Sequence, residues 1–155
     1  MTEINTTLHI LLADDDEDDC LIFKDVIEGL QLPVQFTMVP DGEELMLYLE
    51  TASSLPHALF LDLNMPCKNG FECLTEIKKH AKLKMIPVII YSTSYDEEKA
   101  NQLYKAGAHY YICKPSDFEE LKKVIYQAIT LIKKEKNVQP PKEIFLLSNL
   151  KSILF

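Results

Sequence analysis

The segment LFLDLNMPCKNG, residues 59–70, passes from an apolar strand into a turn, and Asp62 stands where the strand ends. The residues before Asp62 show no alternation of apolar and polar side chains, which is typical of a strand buried on both faces of a sheet. Pro66 and Gly70 then indicate a turn, and apolar residues follow with helical spacing. The segment therefore predicts a strand, a turn and a helix, with one carboxylate at the end of the strand.

Four further apolar runs follow the same pattern and are separated by stretches with helical spacing. The predicted strands are LHILLA (8–13), VQFTMV (34–39), HALFLD (57–62), IPVIIYS (86–92) and HYYICK (109–114). Such alternation indicates a parallel sheet with helices on both faces. The last helix has the clearest start, with Ser116 predicted as its N-cap and Glu119 three residues later. We therefore predict an α/β fold with a doubly wound, five-stranded parallel sheet.

Length and composition favour one folded domain followed by a short tail. A chain of 155 residues, of which 47% are hydrophobic, can bury its own core. The prolines of NVQPPK indicate a linker, so we place the main domain at residues 1–136 and a linker with an apolar tail at 137–155. The apolar residues of the tail include Ile144, Phe145, Leu147, Leu150, Ile153, Leu154 and Phe155. They are too many to remain exposed, so the tail packs either on its own domain or on a partner.

Charge and sequence pattern exclude several classes of function. The net charge of −8 argues against a nucleic-acid partner, which needs a basic surface. The chain has no long apolar run and no basic leader, so we expect a cytoplasmic protein without a membrane partner. The four cysteines form no CxxC pair, which favours free thiols over a zinc site or a disulfide.

Polar residues follow four of the five predicted strands. They are Asp14, Asp15 and Asp16 after the first strand, Asp62 and Asn64 after the third, Ser92 and Thr93 after the fourth, and Lys114 after the fifth. The carboxyl ends of parallel strands meet at one edge of the sheet, where ligands of open α/β folds bind. The sequence therefore predicts a charged pocket at this edge.

The residue types in this pocket indicate a divalent cation and a phosphoryl group. Clustered carboxylates raise one another's pKa unless a cation lies among them, and Mg²⁺ prefers carboxylate and phosphate oxygens as ligands. Asp62 is a candidate nucleophile, because Asp carboxylates can form aspartyl-phosphate. Lys114 and Ser92 would contact the oxygens of the same group.

Four segments give the chain a family resemblance: ILLADDDEDD, LDLNMPCKNG, PVIIYSTS and AGAHYYICKPSD. In them the chain resembles the receiver domains of two-component response regulators, and it looks like the single-domain type of the CheY-like superfamily, over about residues 8–134. The D-x-x-M-P-x-x-x-G run of that family is matched by Asp62, Met65, Pro66 and Gly70. The resemblance implies a flavodoxin-like sheet with strand order 2-1-3-4-5.

The resemblance implies that Asp62 is the phosphoacceptor and that a metal, Mg²⁺ or Mn²⁺, binds beside it. The implied metal ligands are Asp14, Asp15, Asp62 and the backbone carbonyl of Asn64. Asp16 is an alternative to Asp14 or Asp15, although the count from the first strand favours the first two. Asp18 and Asp19 are expected only to complement the dipole at a helix N-terminus.

The resemblance also implies phosphate-binding and switch residues. Ser92 and Lys114 would bind the phosphoryl group, and Ser92 and Tyr111 would change position when it arrives. Thr93 is a neighbouring hydroxyl, and the distance from Pro87 favours Ser92. The peptide bond before Pro115 is expected to be cis, which would direct Lys114 at the pocket.

These residues predict a single-domain response regulator rather than a turnover enzyme. A sensor histidine kinase or phosphotransfer protein would donate the phosphoryl group, and a downstream protein would bind the altered surface. The nineteen residues after 136 cannot form a DNA-binding domain, and a homodimer through the tail or a sheet-edge face is possible. The alternatives are a pseudo-receiver that only binds proteins and, less favoured, an aspartyl phosphatase of the haloacid-dehalogenase type, which would need a cap and a D-x-D motif after its first strand.

Overall fold

Alternating strands and helices form a parallel sheet with helices on both faces, in a computed structural model that describes residues 7–135 and 138–147. The strands and helices of the first part are β1 (Leu8–Ala13), α1 (Glu17–Gly29), β2 (Val34–Val39), α2 (Gly42–Thr51), β3 (Ala58–Leu61), α3 (Gly70–Lys79), β4 (Val88–Ser92), α4 (Glu97–Lys105), β5 (Tyr110–Cys113) and α5 (Phe118–Glu135). A short 3₁₀ helix (Lys142–Ile144) and β6 (Leu146–Leu147) follow. None of the described helices combines the length and the apolarity that are needed to cross a bilayer.

Each face of the sheet has its own apolar core, because successive side chains of a strand point to opposite faces. Leu11 and Ala13 of β1 pack in the core beneath α2, α3 and α4. Ile10 and Leu12 pack in the other core, beneath α1 and α5. The central strands are therefore buried on both sides, as their continuous apolar sequences predicted.

Short polar side chains fix the starts of the helices by accepting hydrogen bonds from free backbone N–H groups. Asp16, Asp41 and Asp96 cap α1, α2 and α4, and Asn69 forms a reciprocal capping box with Glu72 at the start of α3.

The prediction of Ser116 as the cap of the last helix is wrong by one residue. Helix α5 begins at Phe118, and the Asp117 carboxylate accepts a hydrogen bond from the Glu120 amide at 3.0 Å. The Asp117 carboxylate, rather than the Ser116 hydroxyl, therefore caps the first turn of α5.

The sheet has six strands in the order β2-β1-β3-β4-β5-β6, so the order 2-1-3-4-5 is confirmed and the predicted number of five strands is wrong. The sixth strand belongs to residues 138–147, which we call the C-terminal strap. Leu146 and Leu147 pair in parallel with Tyr111 and Ile112 of β5. A run of two paired residues is too short to show a strand period in sequence.

Polar and aromatic contacts hold the C-terminal strap against α4 and β5. The Tyr104 hydroxyl donates to the Pro140 carbonyl at 2.6 Å, and the Gln139 side-chain amide donates to the carbonyls of Tyr104 and Ala108, each at 2.8 Å. Phe145 is 4% exposed and packs beside Tyr104. The part of the tail that contains Phe145 and Leu147 thus packs on its own domain, which is the first of the two arrangements expected from the sequence.

The other tail residues named from the sequence, Leu150, Ile153, Leu154 and Phe155, lie outside the described residues. The division of the chain at residue 136 stays a prediction.

Candidate functional site

The carboxyl edge of the sheet is extended by backbone hydrogen bonds that place the predicted site residues directly after their strands. The Asp14 amide donates to the Val39 carbonyl at 3.1 Å, and the Asp62 amide donates to the Ala13 carbonyl at 2.9 Å. The Lys114 amide donates to the Ser92 carbonyl at 2.7 Å. Residues that are far apart in sequence therefore meet at one edge, as predicted.

Three aspartates form a compact carboxylate cluster at this edge. One carboxylate oxygen from each of Asp14, Asp15 and Asp62 lies within 4.8 Å of the others. Asp14 is 1% exposed and Asp62 is 7% exposed, whereas Asp15 is open to solvent. Asp16 is occupied elsewhere, because its side chain caps α1 by accepting from the Asp19 amide at 3.0 Å. The geometry therefore favours Asp14 and Asp15 over Asp16 as neighbours of Asp62.

Asp62 lies in surroundings that disfavour its ionised form. Burial, and then the negative charge of Asp14, raise the pKa of Asp62 to about 7, while Lys114 and the Asn64 amide act in the opposite direction. The Asn64 amide donates to the Asp62 carboxylate at 3.4 Å, a long hydrogen bond. A cation bound among the three aspartates would favour the ionised form of Asp62.

The donor set fits a hard divalent cation. Three carboxylates in one small volume supply oxygen ligands, which Mg²⁺ and Mn²⁺ both accept. Within residues 7–135 and 138–147, Lys114 is the only lysine that forms an ion pair with a member of the cluster, Asp14, so the cluster retains an excess of negative charge. Asn64 lies two residues beyond Asp62, and the use of its backbone carbonyl as a further ligand stays a prediction.

Gly70 allows the loop after β3 to fold back on Asp62. Its amide donates to the Leu63 carbonyl at 3.0 Å. A Cβ atom at position 70 would lie 2.3 Å from the backbone oxygen of Asp62. Any larger residue would therefore push the loop away from the carboxylate cluster, which is a physical reason for the glycine in the D-x-x-M-P-x-x-x-G run.

Lys114 makes two ion pairs at the site, one of which sequence reasoning missed. Its ammonium donates to Asp14 Oδ2 at 2.7 Å and to Asp19 Oδ2 at 2.8 Å. The expectation that Asp19 serves only the helix N-terminus is thus wrong, because the first turn of α1 also directs this carboxylate at the pocket. Burial alone would lower the pKa of Lys114, but the hydrogen bonds to Asp14 and Asp19, together with the negative charges of Asp14 and Asp62, outweigh it and raise this pKa.

The expected cis peptide before Pro115 is not present, since every peptide bond in the described ranges is trans. Lys114 reaches the pocket with a trans bond, and the ring of Tyr91 supports its ammonium at 4.6 Å from the ring centroid.

Ser92 and Tyr111, the predicted switch pair, are both buried. Ser92 is fully buried, whereas Thr93 is exposed. Tyr111 is 1% exposed, and its hydroxyl donates to the Ser94 carbonyl. Burial raises the pKa of Tyr111, and a hydrogen bond with the Ser92 side chain acts against this shift. The Tyr111 ring therefore points inward, with Tyr95 packed edge-on against it.

Comparisons with known proteins identify the family of the chain. The family model of the response regulator receiver domain matches residues 10–126. Response regulator Rcp1 of Synechocystis sp. is 30% identical over 128 residues, which are 79% of this chain and 87% of Rcp1.

Two solved structures extend the similarity to the fold. The phosphorylated cyanobacterial phytochrome response regulator RcpA is 30% identical and superposes with a TM-score of 0.76, over 88% of this chain and 100% of that one. The Mn²⁺-bound form of Rcp1 is 29% identical, with a TM-score of 0.73 over 86% of this chain and 99% of that one. The chain therefore belongs to the response regulator receiver-domain family, whose members take phosphoryl groups from the histidine kinases or other phosphodonors of two-component signalling.

Proposed function

We propose that this receiver domain accepts a phosphoryl group on the carboxylate of Asp62, and that the donor is a phosphohistidine of a sensor histidine kinase or phosphotransfer protein. One Asp62 oxygen forms the new bond to phosphorus, the bond from phosphorus to the imidazole nitrogen breaks, and the neutral histidine leaves. The observation that carries the proposal is the convergence of Asp62 with two other carboxylates and a lysine at the carboxyl edge of the sheet.

Mg²⁺ or Mn²⁺ would be held by Asp14, Asp15, Asp62 and the backbone carbonyl of Asn64. A divalent cation at this position supplies positive charge to the phosphoryl oxygens. The protein's own part is to hold Asp62 at the rim of the core and to keep the Lys114 ammonium at the same edge of the sheet, through its ion pair with Asp14. Ser92, which is buried at the end of β4, would donate its hydroxyl to a phosphoryl oxygen.

The output is a change of protein surface. Ser92 and Tyr111 would follow the phosphoryl group and shift the populations of two preexisting conformations. A downstream protein would bind the surface beside the start of α4, where Tyr95 is 43% exposed. A second copy of the chain would bind through the tail or a sheet-edge face.

The domain acts as a phosphoacceptor in the cytoplasm rather than as a turnover enzyme. Its only chemistry would be its own phosphorylation and dephosphorylation. Neither nucleic acid nor membrane is part of the proposal, because the chain is acidic overall, with a net charge of −8.

The test is intact-mass spectrometry after incubation with acetyl phosphate and Mg²⁺, for the wild type and Asp62→Asn side by side. We expect the mass of one phosphoryl group on the wild type and none on the variant. Equal gain on both proteins would overturn the assignment of Asp62. No gain on either, with acetyl phosphate or with a phosphorylated histidine donor, would identify a pseudo-receiver, and steady release of phosphate from phosphoesters would identify a phosphatase.

A further inference from the structure

We propose that Asp19 is a positioning residue that competes with the phosphoryl group for Lys114 and thereby limits phosphorylation of Asp62. The inference rests on the proposed function, because it concerns the lysine of the same site. It begins from the second ion pair of Lys114, at 2.8 Å from Asp19 Oδ2, which the run of aspartates gave no reason to expect.

The hydrogen-bonding capacity of the Lys114 ammonium is largely used before any phosphoryl group arrives. An ammonium has three N–H donors, and two of them are directed at Asp14 and Asp19. The ring of Tyr91 covers another side of the group, at 4.6 Å from its centroid. Within the described parts of the chain, Lys114 makes no ion pair with Asp62.

Both acceptors lie on the same side of the pocket. Asp14 directly follows β1 and Asp19 lies in the first turn of α1, whereas Asp62 follows β3. Both ion pairs of Lys114 are therefore made with acceptors that follow β1 or begin α1, and neither is made with Asp62, the proposed phosphoacceptor.

The position of the Asp19 carboxylate is set by the helix that carries it. The Asp19 amide donates to the capping side chain of Asp16 at 3.0 Å, which fixes the first turn of α1. The Asp19 side chain is 29% exposed, while that of Lys114 is 8% exposed, so the pair lies at the rim of the pocket. Asp19 also adds a negative charge that repels an approaching phosphoryl donor. Asp14 belongs to the carboxylate cluster, but Asp19 does not. The charge of Asp19 can therefore be removed without removing a proposed metal ligand.

The matched variants are Asp19→Asn, which removes the charge but keeps an oxygen that accepts from Lys114, and Asp19→Glu, which keeps the charge. Asp18→Asn is the control, because Asp18 is an exposed acid of the same turn, and its replacement removes the same charge at the helix N-terminus without removing either ion pair of Lys114. Thermal unfolding of each protein confirms that all are folded.

The experiment measures the rate of phosphorylation by subsaturating acetyl phosphate with Mg²⁺, followed by intact mass. Asp62 forms its bond to phosphorus in this reaction and acetate leaves. A partly exposed ion pair has only a modest energy, so we expect Asp19→Asn to react about threefold faster than the wild type and Asp18→Asn. Asp19→Glu should restore the wild-type rate, and the gain should shrink at high ionic strength, because salt screens charges.

Equal rates for Asp19→Asn and Asp18→Asn would overturn the proposal. The loss of either negative charge in this turn would then change the rate equally, whether or not the residue contacts Lys114. A slower Asp19→Asn would also overturn it, since Asp19 would then hold Lys114 in its productive position. Measurements on the wild type and Asp62→Asn distinguish failure of the Asp19 proposal from failure of the proposed function. If the wild type gains no phosphoryl group, or Asp62→Asn gains as much, the proposed function has failed and the role of Asp19 fails with it.

Discussion

The amide of Tyr111 donates a hydrogen bond to the carbonyl oxygen of Phe145 at 2.9 Å, and the centroids of their rings lie 6.1 Å apart. The predicted switch residue is thus joined by backbone and by side chain to the C-terminal strap. Any outward movement of the Tyr111 ring would leave part of the Phe145 ring without its neighbour. The conformation of Tyr111 and the docking of the strap are therefore coupled.

Loss of the Phe145 ring should destabilise the domain. The ring is 4% exposed and packs edge-on against Tyr104 at a centroid distance of 5.3 Å. We expect Phe145→Ala to lower the free energy of unfolding by about 3 kcal/mol, measured by urea denaturation. Ile144→Ala is the control, since Ile144 is 41% exposed and its truncation should cost less than about 1 kcal/mol. Equal losses from the two variants would show that the strap does not pack in solution as described.

Two glycines should respond to alanine in opposite directions. A Cβ at Gly42 would lie 2.1 Å from the backbone oxygen of Lys68, so Gly42→Ala must displace backbone and should cost about 2 kcal/mol or more. A Cβ at Gly29 would meet nothing within 4 Å, and Gly29 lies in the last turn of α1. Gly29→Ala should therefore stabilise the domain by about 0.5 kcal/mol. Urea denaturation of each variant beside the wild type would measure both changes in the free energy of unfolding. An unchanged free energy for Gly42→Ala would contradict the close approach of α2 to the loop that contains Lys68.

Mg²⁺ should stabilise the folded domain through the carboxylate cluster. A ligand that binds only the folded state adds about 1.4 kcal/mol at ten times its dissociation constant. We expect a rise in Tm on addition of Mg²⁺ to the wild type, and none for Asp15→Asn, which removes one of the three clustered carboxylates. Asp18→Asn should retain the rise. A full rise for Asp15→Asn would exclude Asp15 as a ligand and return Asp16 to consideration.

His9 should make stability depend on pH. Burial, and then the nearby His57, lower the pKa of His9 below its ordinary value of 6.5. The unfolded chain then binds more protons than the folded one between these two pKa values, so stability is complete above pH 6.5 and is lost as the pH falls through the folded pKa. The His9 ring also contacts the hydroxyls of Tyr48 and Thr37, at 3.1 and 3.3 Å.

The measurement is urea denaturation of the wild type and His9→Gln in a series of buffers from neutral to acidic pH. We expect the loss of stability on acidification to be smaller for His9→Gln than for the wild type. The same loss in both proteins would show that His9 does not supply this pH dependence.

Much of the fold and site could be predicted because the signals are local. The apolar run before Asp62 identified a buried strand, and the carboxyl ends of parallel strands meet whatever their distance in sequence. Asp14, Asp62, Ser92 and Lys114 were therefore placed at one edge from their positions alone. The family resemblance, rather than any pattern, supplied the switch role of Tyr111, and that role stays a prediction.

The features that were missed depend on long-range contacts. Asp19 lies 95 residues from Lys114, and its position in an acidic helix start suits the dipole equally well without any partner. The sixth strand depends on two paired residues and on side chains that dock against α4, none of which shows a periodic pattern. The cap of α5 was misplaced by one residue because Ser116 and Asp117 are both good caps.

The short β6 strand also determines how the sheet meets other chains. Its two residues, Leu146 and Leu147, pair with the edge of β5. They therefore occupy backbone N–H and C=O groups to which another strand would bind. A dimer or a peptide partner that adds a strand to β5 must first detach the strap, at the cost of the Phe145 contacts. The ten-residue strap thereby shields this part of the β5 edge from strand addition by other chains.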